Sequence, residues 1–216
     1  MTTPIVIIGA GGLGREVHDI VEAMNAAGAD WDFLGFVDGS PDRAELLQER
    51  GELLGSDETL GRLPAGTRFV VAIGDNEVRR RVAERAEAAG LVGAVLVHPR
   101  ATIGPRGVEL GPGTVVAAGA AITTNVTIGR HVRVDQNATV AHDCRLGDFV
   151  AVSPGANLSG TVTLADGVAV GTNASVIQGV TIGLGAVVGA GAVVIRDVEA
   201  GLTVAGVPAA PLEHRS

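Results

Sequence analysis

Residues 141–148 read AHDCRLGD, so that His142, Asp143 and Cys144 stand in a row. Each could do chemistry. An imidazole titrates near ~6.5 when unperturbed, so much of it is neutral and able to accept a proton at pH 7. A carboxylate beside it can orient the ring or stabilise the imidazolium. A thiol becomes a nucleophile where its surroundings favour the thiolate. The chain has five histidines and one cysteine. A single cysteine excludes an internal disulfide and a multi-cysteine metal site. No His/Asp/Glu grouping has convincing ligand spacing, so no metal is expected.

The elements that position these residues follow from a repeat. From Leu110, every sixth residue is Leu, Ile or Val: Leu110, Val116, Ile122, Ile128, Val134, and so on without a break to Val194. Two residues before each stands a small or β-branched residue, such as Ala120, Ala138, Cys144 and Ala156, and glycine often follows. No helix has period six and a lone strand has period two. Six residues describe one short strand and one turn; three such units close a triangular coil of about eighteen residues, stacked as in a solenoid. The aliphatic residue points into the prism, the small one fits the corner, and Gly, Asn and Asp serve the turns. Ile103-Gly104 is one residue out of register, which predicts a slip after the first coil. The tail VEAGLTVAGVPAAPLEHRS is expected to cap one end of this parallel β-helix.

Cys144 occupies the small corner register, so a buried structural thiol is expected there. His142 lies two residues after the inward Val140. Its counterparts one coil away, Thr124 and Gly160, are small, so the imidazole should stand alone on an outer face. Neighbours on an extended strand point to opposite sides. A contact between His142 and Asp143 therefore requires a turn conformation or a partner across a subunit seam. His131 follows Arg130 at a turn and is expected on the surface or in a subunit contact.

The first ninety residues follow a different pattern. Residues 4–9 read PIVIIG, a short strand. Glycines at 9, 11, 12 and 14 follow, and then Leu13, Val17, Ile20, Val21 and Met24 at helical spacing. FLGFVD at 33–38 is a second strand, GSPDR at 39–43 a turn, RFVVAIG at 68–74 a third strand, and NEVRRRVAERAEAAG a helix closed by Gly90. LVGAVLVHP at 91–99 is a last short strand or linker. This alternation predicts a small parallel α/β sheet. Gly9, Gly11 and Gly14 form G-x-G-x-x-G between a strand and a helix, where backbone N–H groups can meet a phosphate. The usual NAD reading fits poorly, because the segment is smaller than a full dinucleotide fold. Asp38 ends the second strand, where acidic residues accept from ribose. Gly74 and Asn76 lie at the same edge.

Composition narrows the rest. The net charge of −8 gives no general attraction to nucleic acid. There are 32 glycines, no tyrosine and four phenylalanines, so a core must be filled by Val, Ile, Leu and Ala, as repeats allow. No run of eighteen apolar residues exists, so no membrane span is expected. MTTPIVIIGAGG lacks the basic region of a secretory leader, and a cytoplasmic protein is expected.

The six-residue repeat is similar to the hexapeptide repeat of the left-handed β-helix acyltransferases. IVIIGAGGLGREVHDI, VVAIGDNEVRRRV, AHDCRLGDF, VSPGANLSG and the terminal GVPA together resemble the bacterial sugar acetyltransferases of the PglD, PerB and NeuD type. The resemblance implies a Rossmann-like nucleotide-sugar-binding domain over 1–98 and a left-handed β-helix with its C-terminal cap over 99–216. It implies a homotrimer with active sites at subunit seams, acetyl-CoA as cosubstrate, and a nucleotide-linked amino sugar as acceptor. GDP-perosamine is the expected acceptor, within O-antigen or other glycan synthesis; a UDP-linked amino sugar and O-acetylation of sialic acid are the alternatives. By the same resemblance His142 is the general base with Asp143 assisting, and Gly160, Thr172 and Ala190 contact acetyl-CoA. Gly9, Gly11, Gly12, Gly14, His18, Asp38, Gly74 and Asn76 hold the nucleotide sugar. Two departures stand out. Ala151 replaces a histidine of several relatives, and Ala210 stands where a basic residue often follows the terminal motif. A scaffold without activity is disfavoured by the His-Asp pair. A metal-dependent β-helix is disfavoured because His131 and His142 are eleven apart, not eighteen.

Overall fold

The computed structural model describes residues 2–40, 47 and 49–212. It divides into two compact units. One comprises the residues through Pro99 with Pro112–Val115; the other comprises Arg100–Gly111 and the chain from Val116.

The first unit is a five-stranded parallel sheet. Its elements are β1 (Thr3–Ile8), α1 (Gly12–Ala26), β2 (Trp31–Val37), β3 (Leu53–Gly55), a 3-10 turn (Asp57–Arg62), β4 (Arg68–Val71), α2 (Asn76–Ala88) and β5 (Val92–Gly93). The strand order is β3-β2-β1-β4-β5. Ile5, Val6 and Ile7 are fully buried, the signature of a central strand covered on both faces. α1 buries Val17, Ile20 and Val21. α2 buries Val82, Ala83 and Ala86 and starts at Asp75, whose Oδ1 accepts the Val78 N–H at 2.8 Å. Gly90, at φ +85°, follows its C-terminus. β3 was not expected: three half-buried residues show no alternation to read. LVGAVLVHP contains two two-residue strands, Val92–Gly93 and Leu96–Val97, in place of one. Of the expected turn at 39–43, positions 41–43 lie outside the described residues.

The second unit is a three-sided parallel β-helix. Strand pairs are eighteen residues apart on all three faces: Ala121 with Thr139, Thr127 with Arg145, Arg133 with Ala151. The inward aliphatics from Val116 to Val194 are no more than 3 % exposed, and so are most small residues two positions before them. Ile103 pairs with Ile122, nineteen away, which is the slip read from Ile103-Gly104. At the other end Val187 pairs with Thr203, sixteen away, and Thr203–Ala205 forms an antiparallel hairpin with Ala210–Pro211. The last four residues of the expected cap lie outside the described region.

Every sixth residue from Gly107 to Gly191 has a positive φ, between 53° and 78°. Glycine, asparagine and aspartate fill most of these corners, but His131, Phe149 and Thr161 fill three. The left-handed conformation costs such residues roughly 1–2 kcal/mol each. The coil imposes it through bonds between turns: Phe149 N–H donates to Arg130 O at 2.9 Å and Thr161 N–H to His142 O at 2.8 Å. His131, expected on the surface or in a subunit contact, is 1 % exposed within the single chain. Its ring stacks on Phe149 with centroids 5.2 Å apart, because the left-handed corner stands both rings in one column.

Candidate active site

His142 and Asp143 form the corner between the strands Thr139–Val140 and Arg145–Leu146. Asp143 has φ +60°, so the chain bends between the two side chains. Nδ1 of His142 lies 2.8 Å from Oδ2 of Asp143. An ionised carboxylate only accepts, so Nδ1 carries the proton of this bond, and in the neutral ring Nε2 keeps the lone pair. Asp143 is held below the usual carboxylate range, first by the hydrogen bond from His142 and then by Asn125, whose Nδ2 lies 3.4 Å from Oδ1. Both side chains are about half exposed. The corner thus presents an oriented proton acceptor at an open surface.

Gly160 lies one coil beyond His142. A Cβ there would stand 2.5 Å from Nε2 and 3.0 Å from Nδ1 of His142. The imidazole therefore lies against the Gly160 backbone, and any larger residue would displace it. Cys144 is fully buried; its Sγ–H donates to Ser159 O at 3.2 Å, and burial pushes its pKa up. That is the opposite of nucleophile activation. Ala151 is 3 % exposed and carries no polar group, so it supplies no counterpart to the histidine of several relatives. Thr172 and Ala190 are exposed and eighteen apart, with Gly191 N–H donating to Thr172 O at 2.8 Å. They follow a different face of the prism from Gly160, and so stand at another corner.

In the first unit the candidate glycines separate into two kinds. Gly9 (φ +106°) and Gly14 are buried and tightly packed. A Cβ on Gly9 would lie 2.7 Å from Ala72 O, and one on Gly14 would collide with the Gly9 carbonyl. Gly12 and Gly74 are exposed, with nothing within 4 Å of an added Cβ. Gly11 is the N-cap of α1. Asp38 accepts the Ala10 N–H at 2.8 Å and the Ser40 N–H at 2.9 Å, so its carboxylate shapes the glycine turn. Asn76 opens α2. His18, expected at the ligand cleft, is 5 % exposed. Its ring packs against Phe33 and Phe36 at 4.6 and 5.7 Å, and burial lowers its pKa. It belongs to the packed layer between α1 and β2.

Three features escape sequence reading. His18, Asp19 and Glu22 bring ligand-type atoms within 4.8 Å of one another, but Asp19 is engaged by Arg50, whose charge opposes a cation there. Arg196 and Ala210 line one cavity of about 460 Å³ at the end of the prism, so a guanidinium stands near the place where Ala210 lacks a charge. Arg79 is 2 % exposed beneath the Ile73-Gly74 segment. A basic residue outside a motif carries no positional signal in sequence.

Residues 4–86 match the PglD N-terminal domain family. A His-to-Asn variant of perosamine N-acetyltransferase from Caulobacter crescentus, solved in complex with CoA and GDP-perosamine, is 35 % identical with a TM-score of 0.88, over 99 % of this chain and 98 % of that one. The acetyltransferase domain of PglB from Neisseria gonorrhoeae, in complex with acetyl coenzyme A, is 36 % identical with a TM-score of 0.88, over 98 % of this chain and all of that one. WeeI from Acinetobacter baumannii is 30 % identical with a TM-score of 0.87, over 98 % and 100 %. No curated protein matches the chain. Among the described residues no helix is long and apolar enough to cross a membrane.

A Rossmann-like α/β segment followed by a left-handed β-helix, bearing a paired histidine on the coil, defines an acyltransferase of the hexapeptide-repeat class. Within that class the chain belongs to the nucleotide-sugar N-acetyltransferase family of the PglD, PerB and NeuD type.

Proposed function

We propose that this enzyme transfers the acetyl group of acetyl-CoA to the 4-amino group of a GDP-linked 4-amino-4,6-dideoxyhexose, GDP-perosamine being the acceptor that its similarity supports best. The observation that carries the reading is the His142–Asp143 pair on a fold that matches, from end to end, a perosamine N-acetyltransferase solved with both CoA and GDP-perosamine. The neutral amine attacks the thioester carbon, a C–N bond forms and the C–S bond breaks. Nε2 of His142 takes the proton that the nitrogen sheds, and the leaving thiolate of CoA recovers a proton to leave as the thiol. Asp143, ionised, stabilises the imidazolium in between. No covalent enzyme intermediate is required, consistent with the inert setting of Cys144.

Acetyl-CoA is assigned to Gly160, Thr172 and Ala190. These stand at two corners of one prism, so a cosubstrate touching all three fits a groove between neighbouring prisms and supports a homotrimer with shared sites. The nucleotide sugar is assigned to Gly9, Gly11, Gly12, Gly14, Asp38, Gly74 and Asn76 of the 1–98 domain, with Gly12 and Gly74 offering the open backbone. His18, packed against Phe33 and Phe36 between α1 and β2, is assigned no direct contact with the ligand. We assign the reaction to the cytoplasm as part of the same proposal.

The test is release of free thiol from acetyl-CoA against GDP- and UDP-linked 4-amino sugars and free sialic acid, with sedimentation to measure the assembly. Turnover selective for the GDP-linked amino sugar supports the reading. Selective use of a UDP sugar or of sialic acid overturns the acceptor, and a monomer overturns the shared groove.

A further inference from the structure

Arg79 is the only buried arginine among the described residues of the core, and it sits on α2 with no role in the chemistry above. Its Nη1 donates to two successive backbone carbonyls, Ile73 O at 3.2 Å and Gly74 O at 3.4 Å. A buried guanidinium is costly unless its donors are satisfied, and these carbonyls help to satisfy it.

The effect on the backbone is specific. In a trans peptide the C=O and N–H point in opposite directions. With the carbonyls of Ile73 and Gly74 both turned toward Arg79, the N–H groups of Gly74 and Asp75 are turned away from it. Neither donates in any described backbone hydrogen bond, and both residues are exposed. Two successive N–H groups on one side can donate together to an anion. The segment follows β4, next to β1 in the sheet, and a Cβ on Gly9 would lie 2.7 Å from Ala72 O and 3.2 Å from Ile73 Cγ1. The glycine turn and the Ile73–Asp75 segment therefore share the carboxyl edge of two adjacent strands, where the connections depart in opposite directions along the sheet. Open α/β sheets bind ligands there.

We propose that Arg79 is a positioning residue for the nucleotide diphosphate: it fixes the Ile73–Asp75 segment from below so that the Gly74 and Asp75 N–H groups meet a phosphate oxygen. This rests on the reading that the glycine turn receives the nucleotide sugar. The role is distinct from fold maintenance, because it acts on the phosphate part of the ligand and not on the nucleoside.

Calorimetric affinities for GDP against guanosine, and UDP against uridine, test it in wild type, R79M and R79K, with circular dichroism to verify folding. The preference for diphosphate over nucleoside should fall about tenfold in R79M and about threefold in R79K, because a lysine ammonium reaches less far than Nη1 and holds the two carbonyls less well. Nucleoside affinity and KM for acetyl-CoA should stay within about twofold of wild type. Equal loss for diphosphate and nucleoside, or an unchanged preference in a folded variant, overturns the assignment to Arg79 alone. R79K carries the test should R79M fail to fold. Wild type that binds neither diphosphate better than its nucleoside overturns the nucleotide reading as well.

Discussion

Nδ1 of His142 and Oδ2 of Asp143 are 2.8 Å apart although the residues are adjacent in sequence, and the left-handed Asp143 at φ +60° brings them together. The pair is a local product of the corner, so its parts can be varied one at a time.

Removing the proposed base should be severe and should leave the fold intact. His142→Ala is expected to lower kcat by roughly 10²–10⁴-fold, the range for loss of a general base. The ring is half exposed and packs no core, so the melting temperature should hold. Thiol release and thermal denaturation check both; a rate within about threefold of wild type removes His142 from the role.

Asp143→Asn keeps a residue type that tolerates the left-handed corner and removes the charge. A drop in kcat of about 10–100-fold is expected from loss of imidazolium stabilisation. Asp143→Ala adds backbone strain, so a Tm reduced for Ala but not for Asn separates conformation from charge.

The pH dependence of stability has a definite sign. The folded-state pKa of Asp143 lies below its ordinary value, held there first by His142 and then by Asn125. Its stabilising contribution is present above the unfolded pKa and is lost as pH falls through the lower folded value. The stability difference between wild type and Asp143→Asn should be flat from pH 5 to 8 with respect to this carboxyl and shrink only below about pH 4. Denaturant melts across that range measure it; a change centred near neutrality would show that the aspartate titration is not responsible.

Gly160→Ala places a methyl group where the imidazole lies. The half-exposed ring can swing away, so the fold should survive while kcat falls about 10–100-fold through a misplaced base. An unchanged rate would show that the His142 position over Gly160 does not matter to catalysis.

The glycine turn offers a paired comparison. Gly14→Ala should destabilise the protein strongly, because the Cβ meets the Gly9 carbonyl. Gly12→Ala, with open space around it, should keep its Tm and raise KM for the nucleotide sugar alone. Equal melting temperatures would contradict the packing described for Gly14.

Much of the β-helix was legible because its signal is burial at a fixed period. The inward positions from Leu110 to Val194 and the corner register of Cys144 follow from side-chain size alone, as does the slip at Ile103. The corners held by His131, Phe149 and Thr161 were not legible, since nothing in those side chains favours a positive φ; bonds from the neighbouring coil impose it. The same cause hid the burial of His131. In the first unit, β1 and the two helices announced themselves by apolar spacing, whereas β3 is too short to carry a pattern. For the site, the His142–Asp143 pair was visible as a dipeptide but its contact required the corner torsion. The candidate glycines could be named from sequence, yet only packing distances separate Gly9 and Gly14 from Gly12 and Gly74. Arg79 lay outside every motif.

Because the corner torsion recurs every six residues, the bend that brings an imidazole onto the following carboxylate is not peculiar to position 143. Any corner of the coil supplies the same pedestal, provided the residue one turn beyond is as small as Gly160. Reactive dipeptides on such a scaffold can migrate in whole-coil steps by duplication or loss of an eighteen-residue module, with the backbone geometry inherited ready-made.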